Sequence, residues 1–354
     1  MEKNIFQAHE EALEKNDIDN FVSFTAITVS AGRLAEGMRD DPLYKDTLIA
    51  DILKSSEAIQ AAARDFREIV VKQQESNKEA HVVNMVVQRT RYLDDKLLEG
   101  LATMPTDNNV IGIKRQVVLL GSGLDTKAWR LDFPSGTAIF EVDQRDMSGF
   151  KQRRLAASKA QMDAASDVAG FKHPLKVDSW ALVGTDLMHP DWVADLDSSG
   201  FQKGLPTAFV AEGLLYYLSP DAVKTLLSTL AAISGPGSVL LFSCINEAFY
   251  RGCKKDLTRN NESADGVVGL SATIRRFNEA FQFGMPNNVA GFLGPFGWDA
   301  SADGAVKDVK NVYKAYSVQE FSPPKDYTFD KNKEENEKLF GPKQYFLVNA
   351  RRAN

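Results

Sequence analysis

The stretch Val117–Leu131, VVLLGSGLDTKAWRL, decides the fold of this 354-residue chain. Its apolar run Val117–Leu120 is typical of a strand that is buried on both faces of a parallel sheet. Gly121 and Gly123 follow directly, where the chain turns from this strand into a helix. Glycine at such a turn lets the backbone approach a ligand, and the next helix presents unpaired N–H groups at its N-terminus. The stretch therefore predicts the first strand and turn of an α/β domain, with the turn as a candidate ligand site.

Further strands follow downstream at the spacing of alternating strands and helices. We predict strands at Thr137–Asp143, at Pro174–Val177 with the approach to Gly184, at Pro206–Glu212, at Ser238–Cys244 and at Gln344–Asn349. Helices are predicted at Gln144–Lys159 and Pro220–Ile233. This alternation predicts a doubly wound, mostly parallel α/β sheet that binds ligands at the carboxyl ends of its strands.

The segment ahead of the first strand has a different pattern. From Ile5 to about Gly100, apolar residues recur every three or four positions, and glycine and proline are scarce. This pattern predicts helices and no strand. We therefore expect a helical N-terminal segment over residues 1–109 that contributes to the ligand site, followed by a ligand-binding α/β domain over 110–354. Insertions around 246–340 are expected to form the pocket for a second molecule.

The composition excludes several classes of partner. A net charge of −6 provides no basic field of the kind that attracts nucleic acid or anionic lipid. No stretch approaches the roughly 18 apolar residues of a membrane span, so we expect no nucleic-acid partner, no membrane partner and a cytoplasmic protein. The cysteines, Cys244 and Cys253, are too few for a disulfide framework, and no His, Cys or Asp cluster has the spacing of a metal site.

Acidic residues follow the predicted strands at the edge where open α/β sheets bind ligands. Asp143 lies twenty residues after Gly123, where a carboxylate can accept hydrogen bonds from both ribose hydroxyls of an adenosyl ligand. Glu141, two residues earlier, points to the same face. Asp186 would lie near the adenine, and Glu212 ends an otherwise apolar strand, where a carboxylate requires a partner. Capping of the next helix is the alternative role for Asp143, and a loop or capping role is the alternative for Asp186.

Thr126 argues against a nicotinamide dinucleotide as the ligand. The dinucleotide fingerprint requires a third small residue at this position, where the helix packs tightly and the pyrophosphate approaches. A nicotinamide oxidoreductase is therefore a distant alternative.

Five sequence blocks stand in a specific order along the chain. They are RTRYLDD from Arg89, LLGSGLDTKAWRL from Leu119, FEVDQ from Phe140, GTDL from Gly184 and PTAFVAEGLLYYLSP from Pro206. As a set they resemble the leucine carboxyl methyltransferase family, and the likeness runs from about Val22 to Cys244. The resemblance implies a seven-stranded, Rossmann-like methyltransferase sheet with S-adenosyl-L-methionine as the cofactor, lying across the ends of the first, second and fourth strands.

The resemblance also implies which residues contact the adenosyl part of the cofactor. Gly121 corresponds to the family's loop glycine, and Asp143 corresponds to its ribose-binding acid. Asp186 and Leu187 correspond to the pair that flanks the adenine. The predicted cofactor-binding set is completed by the neighbours Ser122, Gly123 and Gln144.

A second group is implied at the methionine end of the cofactor. Arg89 resembles the arginine that pairs with the methionine carboxylate, and Glu212 resembles the acid near the ammonium group. Physical chemistry agrees, because a zwitterion requires partners of both signs. Tyr217 corresponds to the family tyrosine and is predicted to form a wall of the methyl-transfer pocket, with core packing as the alternative. For Asp94, in the same block as Arg89, we expect a surface ion pair.

The reaction implied by the resemblance is an in-line transfer of a methyl group to an oxygen atom. We expect O-methylation of a carboxyl or hydroxyl group of a small molecule. Ser23 and Thr25 stand where the phosphatase-directed branch has a lysine, which disfavours a protein substrate. Methylation of a protein C-terminal carboxylate is the close alternative, and a non-catalytic binding module with a cofactor-like pocket is the distant one.

The acceptor itself is not implied by the sequence. Several aromatic residues either line an acceptor pocket or belong to the core, namely Phe249, Tyr250, Phe277, Phe281 and Trp298. His173 and His189 are predicted to be loop or surface residues rather than general bases. The sequence leaves the oligomeric state open.

Overall fold

The computed structural model describes residues 21–39, 42–53, 81–105, 112–262, 278–312 and 344–353. Its α-helices are α1 Phe21–Gly37, α2 Thr47–Leu53, α3 His81–Thr103, α4 Lys127–Arg130, α5 Arg145–Ala157, α6 Trp192–Ser198, α7 Pro220–Ile233, α8 Glu247–Glu262, α9 Val289–Leu293 and α10 Val309–Val312. Its strands are β1 Arg115–Leu120, β2 Thr137–Asp143, β3 Ser179–Gly184, β4 Thr207–Ala211, β5 Val239–Ile245, β6 Trp298–Asp299, β7 Val306–Asp308 and β8 Tyr345–Arg352.

The strands form one sheet in the order β3-β2-β1-β4-β5-β8-β6, and β7 also pairs with β8. Strands β1 to β5 run parallel, whereas β8 is antiparallel to β5, β6 and β7. The predicted doubly wound, mostly parallel α/β sheet is thus confirmed. The described sheet has eight strands rather than the expected seven, because β6 and β7, with two and three residues, both pair with β8. The strand order reverses between β1 and β4, which is where such sheets bind ligands.

Apolar runs in the sequence explain the central strands. Every residue of β1 and β5 is buried, as expected for strands covered on both faces. The predictions for β2 and α7 are confirmed at both ends. For the third strand, the predicted approach to Gly184 is confirmed by β3, whereas Pro174–Val177 lies before the strand and is not part of it. In that edge strand only Val183 is fully buried, so its apolar signal is weak.

Helix α3 connects the N-terminal segment to the sheet. Leu93, Leu97 and Leu101 recur every four residues and are 0% exposed. They share one apolar core with the strands, and a Cβ atom on Gly100 would lie 3.1 Å from Val239 Cγ2 in β5. The described residues before β1 form helices α1 to α3 and no strand, while the rest of the predicted helical segment lies outside the described residues. The boundary between residues 109 and 110 stays a prediction.

No helix among the described residues combines the length and apolar character needed to span a membrane.

Replacing Leu97 with alanine should lower the free energy of unfolding by about 2 to 5 kcal/mol, because it leaves a cavity between α3 and the sheet. Met38→Ala is the control, since Met38 is 47% exposed, and it should change stability by less than about 0.5 kcal/mol. Urea unfolding followed by circular dichroism measures both. Equal effects of the two substitutions would contradict the packing of α3 against the sheet.

Candidate active site

A cavity of about 550 Å³ lies at the carboxyl ends of β1, β2 and β4, and residues of α1 and α3 also line it. Its volume is typical of sites for small molecules and cofactors. All ten site residues predicted from the sequence lie on its wall, namely Arg89, Gly121, Ser122, Gly123, Asp143, Gln144, Asp186, Leu187, Glu212 and Tyr217. The fold therefore gathers residues that are up to 128 positions apart in the chain.

The glycine turn after β1 requires backbone conformations that favour glycine. Gly121 and Gly123 have φ angles of +61° and +49°, in the left-handed region. A Cβ atom on Gly121 would lie 2.9 Å from Leu214 Cδ1, so a larger residue would also crowd the turn. Ser122 Oγ is buried and has no hydrogen-bond partner among the described residues. The turn thus offers a cradle with an unsatisfied polar atom beside it.

The carboxylate of Asp143 is fixed at the end of β2. Its Oδ2 atom accepts a hydrogen bond of 2.6 Å from the N–H group of Gly123, and its Oδ1 atom accepts one of 2.8 Å from that of Gln144. Burial raises the pKa of Asp143, and the two backbone donors oppose that rise. The alternative role as the cap of α5 is wrong, because Gln144 is the N-cap residue of this helix.

Glu141 does not share the site with Asp143, contrary to expectation. Its side chain is fully buried, forms an ion pair with Lys151 and accepts a hydrogen bond of 2.8 Å from Trp180 Nε1. Both residues point to the same side of β2, but α5 covers Glu141 while Asp143 lies at the open edge. The residue Glu141 is therefore structural.

Asp186 and Leu187 lie in the loop after β3. Asp186 is exposed, and its Oδ1 atom accepts a hydrogen bond of 2.8 Å from the N–H group of Met188. Leu187 is half-buried and packs against the core. Asp186 thus stabilises its own loop, which is the alternative role given for it in the sequence analysis. It also lines the cavity.

Arg89 and Glu212 contact each other directly. Arg89 Nε donates a hydrogen bond of 3.0 Å to Glu212 Oε1, and Thr90 Oγ1 donates one of 2.8 Å to the same oxygen. Arg89 Nη1 also donates to the hydroxyl of Tyr345 at 3.1 Å. The two opposite charges therefore lie side by side on the cavity wall.

Lys127, which the sequence analysis did not select, holds the other oxygen of Glu212. Its Nζ atom is 3.0 Å from Glu212 Oε2 and 2.6 Å from Asp125 Oδ2, and the side chain is 1% exposed. Burial favours the neutral form of Glu212, but Lys127 and Arg89 outweigh it and lower the pKa of Glu212 to about 2. Glu212 is therefore ionised at neutral pH.

Asp94 is buried rather than part of a surface ion pair, so that expectation was wrong. It is 2% exposed, lies 3.6 Å from Lys127 Nζ and forms a two-pronged ion pair with Arg130. Burial raises the pKa of Asp94, and Arg130 and Lys127 oppose that rise.

Arg33 ties α1 to the glycine turn. Its Nη2 atom donates hydrogen bonds of 2.8 Å to Asp46 Oδ2 and 3.0 Å to the carbonyl of Leu124. Thr126 Oγ1 donates to the same oxygen of Asp46 at 2.6 Å. Thr126, the residue that argued against a dinucleotide, thus connects the turn to the N-terminal helices.

Five aromatic rings line the cavity, those of Tyr216, Tyr217, Phe249, Phe281 and Tyr345. Tyr345 contacts Arg89, and we call the other four the aromatic wall. The other aromatic candidates do not line it. Trp298 is buried in the core and donates to the carbonyl of Leu227, Tyr250 packs against the core, and Phe277 lies outside the described residues.

The histidines differ from each other. His173 lies in the loop before β3, as predicted, but it is buried rather than on the surface: it is 7% exposed and lies 2.7 Å from Asp51 Oδ2. His189 is exposed, as predicted. Neither lines the cavity. Among the described residues, no group of three or more His, Cys, Asp or Glu side chains could hold a metal ion.

Residues 26–231 match the model of the family described as "Leucine carboxyl methyltransferase". The chain belongs to this family. A "Putative S-adenosyl-L-methionine-dependent methyltransferase" of Mycolicibacterium smegmatis is 30% identical over 311 residues, which are 88% of this chain and 92% of that protein. A protein of the same description from Mycolicibacterium gilvum is 32% identical over 245 residues, 69% of each chain. The solved structure of a "putative methyltransferase" from Thermobifida fusca aligns with 93% of this chain and 97% of its own, at 16% identity and a TM-score of 0.45.

In this member of the leucine carboxyl methyltransferase family, two buried residues that contact the site, Lys127 and Arg33, were not predicted from the sequence. The signal available for Lys127 was its place between Asp125 and Arg130, a dense charge cluster directly after an apolar strand. No comparable local signal marked Arg33, because its partner Asp46 stands thirteen residues away.

Replacing Lys127 with methionine should lower the free energy of unfolding by about 3 to 5 kcal/mol, because it leaves buried carboxylates without their counter-charge. Lys96→Met is the control, since Lys96 pairs with Glu99 on the surface of α3 and such pairs contribute about 0.2 to 1 kcal/mol. Urea unfolding at pH 7 compares the two. Similar losses would show that Lys127 does not balance buried charge.

The pH dependence of stability tests the ionised state of Glu212. Its pKa in the folded protein, about 2, lies below the ordinary value of 4.5, so its contribution is present above about pH 4.5 and is lost as the pH falls toward 2. The difference in unfolding free energy between wild type and Glu212→Gln should therefore shrink by about 2 kcal/mol from pH 6 to pH 3. A constant difference across this range, measured by urea unfolding, would contradict the lowered pKa.

Proposed function

We propose that this protein transfers the methyl group of S-adenosyl-L-methionine to a carboxyl or hydroxyl oxygen of a small-molecule acceptor. Its family membership and relatives support the coarser statement, that it is an S-adenosylmethionine-dependent methyltransferase. The observation that carries the proposal is the continuous cavity that joins the glycine turn and Asp143 to the aromatic wall. A donor molecule and an acceptor can meet in such a cavity.

The adenosyl half of the cofactor fits the turn after β1. The left-handed Gly121 and Gly123 leave open the space that a Cβ atom would fill, so the backbone can approach the ligand. The Asp143 carboxylate is held in place by two backbone donors and has lone pairs left for ribose hydroxyls. Ser122 Oγ is a buried polar atom that a nucleoside can satisfy.

The methionine half fits the charges beyond the turn. Arg89 supplies a guanidinium group for the carboxylate, and Glu212 supplies a carboxylate for the ammonium group. Because Lys127 and Thr90 hold Glu212 in place, its orientation does not depend on the ligand. This pre-organisation favours one orientation of the bound zwitterion.

The residues of the site contribute alignment and a fixed electrostatic environment. When bound, S-adenosylmethionine supplies an electrophilic sulfonium methyl group for in-line transfer. Arg89, Glu212 and Asp143 hold the donor at three points, while the aromatic wall limits the positions of an acceptor. Burial raises the pKa of Tyr217 to about 12, so this residue keeps its proton at neutral pH and does not act as a base.

Isothermal titration with S-adenosylhomocysteine tests the proposal. Wild type should bind this ligand and should not bind NAD, and Asp143→Ala should weaken binding at least about tenfold, since it removes a charge-assisted acceptor for two hydroxyls. Asp146→Ala is the matched control, because Asp146 is exposed in the first turn of α5 and does not line the cavity. Thermal melts of both variants verify folding. If wild type does not bind S-adenosylhomocysteine, or if the two variants bind it with equal affinity, the proposed site is contradicted.

A further inference from the structure

The aromatic wall lies directly beside the charged end of the site. Tyr216 and Tyr217 follow Glu212 within five residues, in a short turn at Leu215–Tyr217. The ring of Tyr216 lies 4.7 Å from that of Tyr217 and 5.1 Å from that of Phe281, measured between centroids. An acceptor bound against these rings would therefore lie next to the group that recognises the methionine end of the cofactor.

Backbone hydrogen bonds fix the position of this wall. The N–H group of Gln282 donates to the carbonyl of Tyr216 at 2.7 Å, and Gln282 Nε2 donates to the carbonyl of Tyr217 at 2.9 Å. These bonds join the segment that contains Phe281 to the turn after β4. The three rings therefore keep their spacing without a ligand, as expected for a pre-organised binding surface.

The tyrosine hydroxyls already have partners. That of Tyr216 forms a hydrogen bond with Tyr345, and that of Tyr217 forms one with Thr25. These two tyrosines would therefore contact an acceptor chiefly through their rings. Aromatic rings at this spacing favour a flat, unsaturated partner through stacked or edge-to-face contacts.

The charged side chains among the described residues of the cavity disfavour a carboxylate as the acceptor group. Arg33 pairs with Asp46 and Thr126. Arg89 pairs with Glu212 and, in the proposed function, with the methionine carboxylate of the cofactor, so neither arginine is left to neutralise a carboxylate on the acceptor. A carboxylate beside the ionised Glu212 would meet like charge in a buried place, whereas a neutral hydroxyl would not.

We infer that the acceptor is a planar aromatic molecule bound against the aromatic wall, and that a neutral hydroxyl group on its ring receives the methyl group. This inference rests on the proposed function and narrows it. The acceptor O–H bond breaks and its proton passes to solvent, while a new O–CH₃ bond replaces the S–CH₃ bond of the cofactor. The products are a methyl ether, S-adenosylhomocysteine and a proton. A ring hydroxyl suits this step better than an aliphatic hydroxyl, because a phenol, with a pKa near 10, loses its proton more easily than an alcohol does.

Three probes of similar size separate the features of the acceptor. 2-Naphthol is planar and neutral, 2-naphthoate is planar and charged, and decahydro-2-naphthol is neutral and saturated. Isothermal titration is performed on the full-length protein saturated with S-adenosylhomocysteine. We expect 2-naphthol to bind at least about tenfold more tightly than either of the other probes.

A pair of variants then tests the wall itself. Phe281→Leu removes one ring of the wall and should weaken 2-naphthol binding about fivefold, while the affinity for S-adenosylhomocysteine stays unchanged. Phe296→Leu is the control and should leave both affinities unchanged. Phe296 also lies against a neighbouring ring, with a centroid distance of 5.6 Å to Phe292, but it does not line the cavity.

The outcomes separate this inference from the proposed function. If S-adenosylhomocysteine binds but 2-naphthol does not, or binds no better than 2-naphthoate or the saturated alcohol, the inference is overturned and the proposed function stands. Equal affinities of the Phe281 and Phe296 variants for 2-naphthol also overturn it. If S-adenosylhomocysteine itself does not bind, both the proposed function and the inference are overturned.

Discussion

The ammonium group of Lys127 is the contact on which the geometry of the site depends. It is buried among three carboxylates, those of Asp125, Glu212 and Asp94, which come from the glycine turn, the end of β4 and α3. Removing charges from water costs several kcal/mol for each ion, so such a cluster is an expensive way to gain stability. The cluster instead fixes the positions of the three carboxylates, because moving any one of them away from Lys127 would leave buried charge without compensation. We interpret the cluster as the element that holds Glu212 toward the cavity.

The neighbour of Lys127 extends this constraint to the N-terminal helices. Thr126 and the carbonyl of Leu124 belong to the same turn, and both contact the Arg33 and Asp46 pair that joins α1 to the start of α2. The turn after β1 therefore connects the sheet, α3 and α1 through consecutive residues. A displacement of α1 would move the backbone that we propose as the cradle of the adenosyl group, so under the proposed function cofactor recognition and the packing of the N-terminal helices are not independent.

The sequence predicted the parts of the molecule that depend on local pattern. Strands β1 and β5 were found because both faces are covered and their residues are continuously apolar, and Asp143 and Glu212 were found because strand ends converge on one edge. Burial and long-range pairing have no such signature. Asp94 and Glu141 looked like exposed or ligand-facing acids, and only the three-dimensional packing of Arg130 and Lys151 makes them internal ion pairs. The start of edge strand β3 was predicted too early for the related reason that a half-buried strand needs few apolar residues.

Under the proposed function, the turn after β4 positions both the donor and the acceptor. Gly213 has a φ angle of +73°, and a Cβ atom there would lie 2.9 Å from the Tyr216 hydroxyl and 3.1 Å from Arg89 Nη1. Its N–H group donates to Ser243 Oγ at 2.9 Å, and Ser243 Oγ also accepts from Tyr345. Glycine thus lets the arginine and the aromatic wall approach the same backbone within van der Waals distance. In-line transfer demands alignment to a fraction of an ångström. Under the proposed function, a single rigid segment would position both the charged end of the donor and the rings around the acceptor, which meets that demand more directly than two independent loops could.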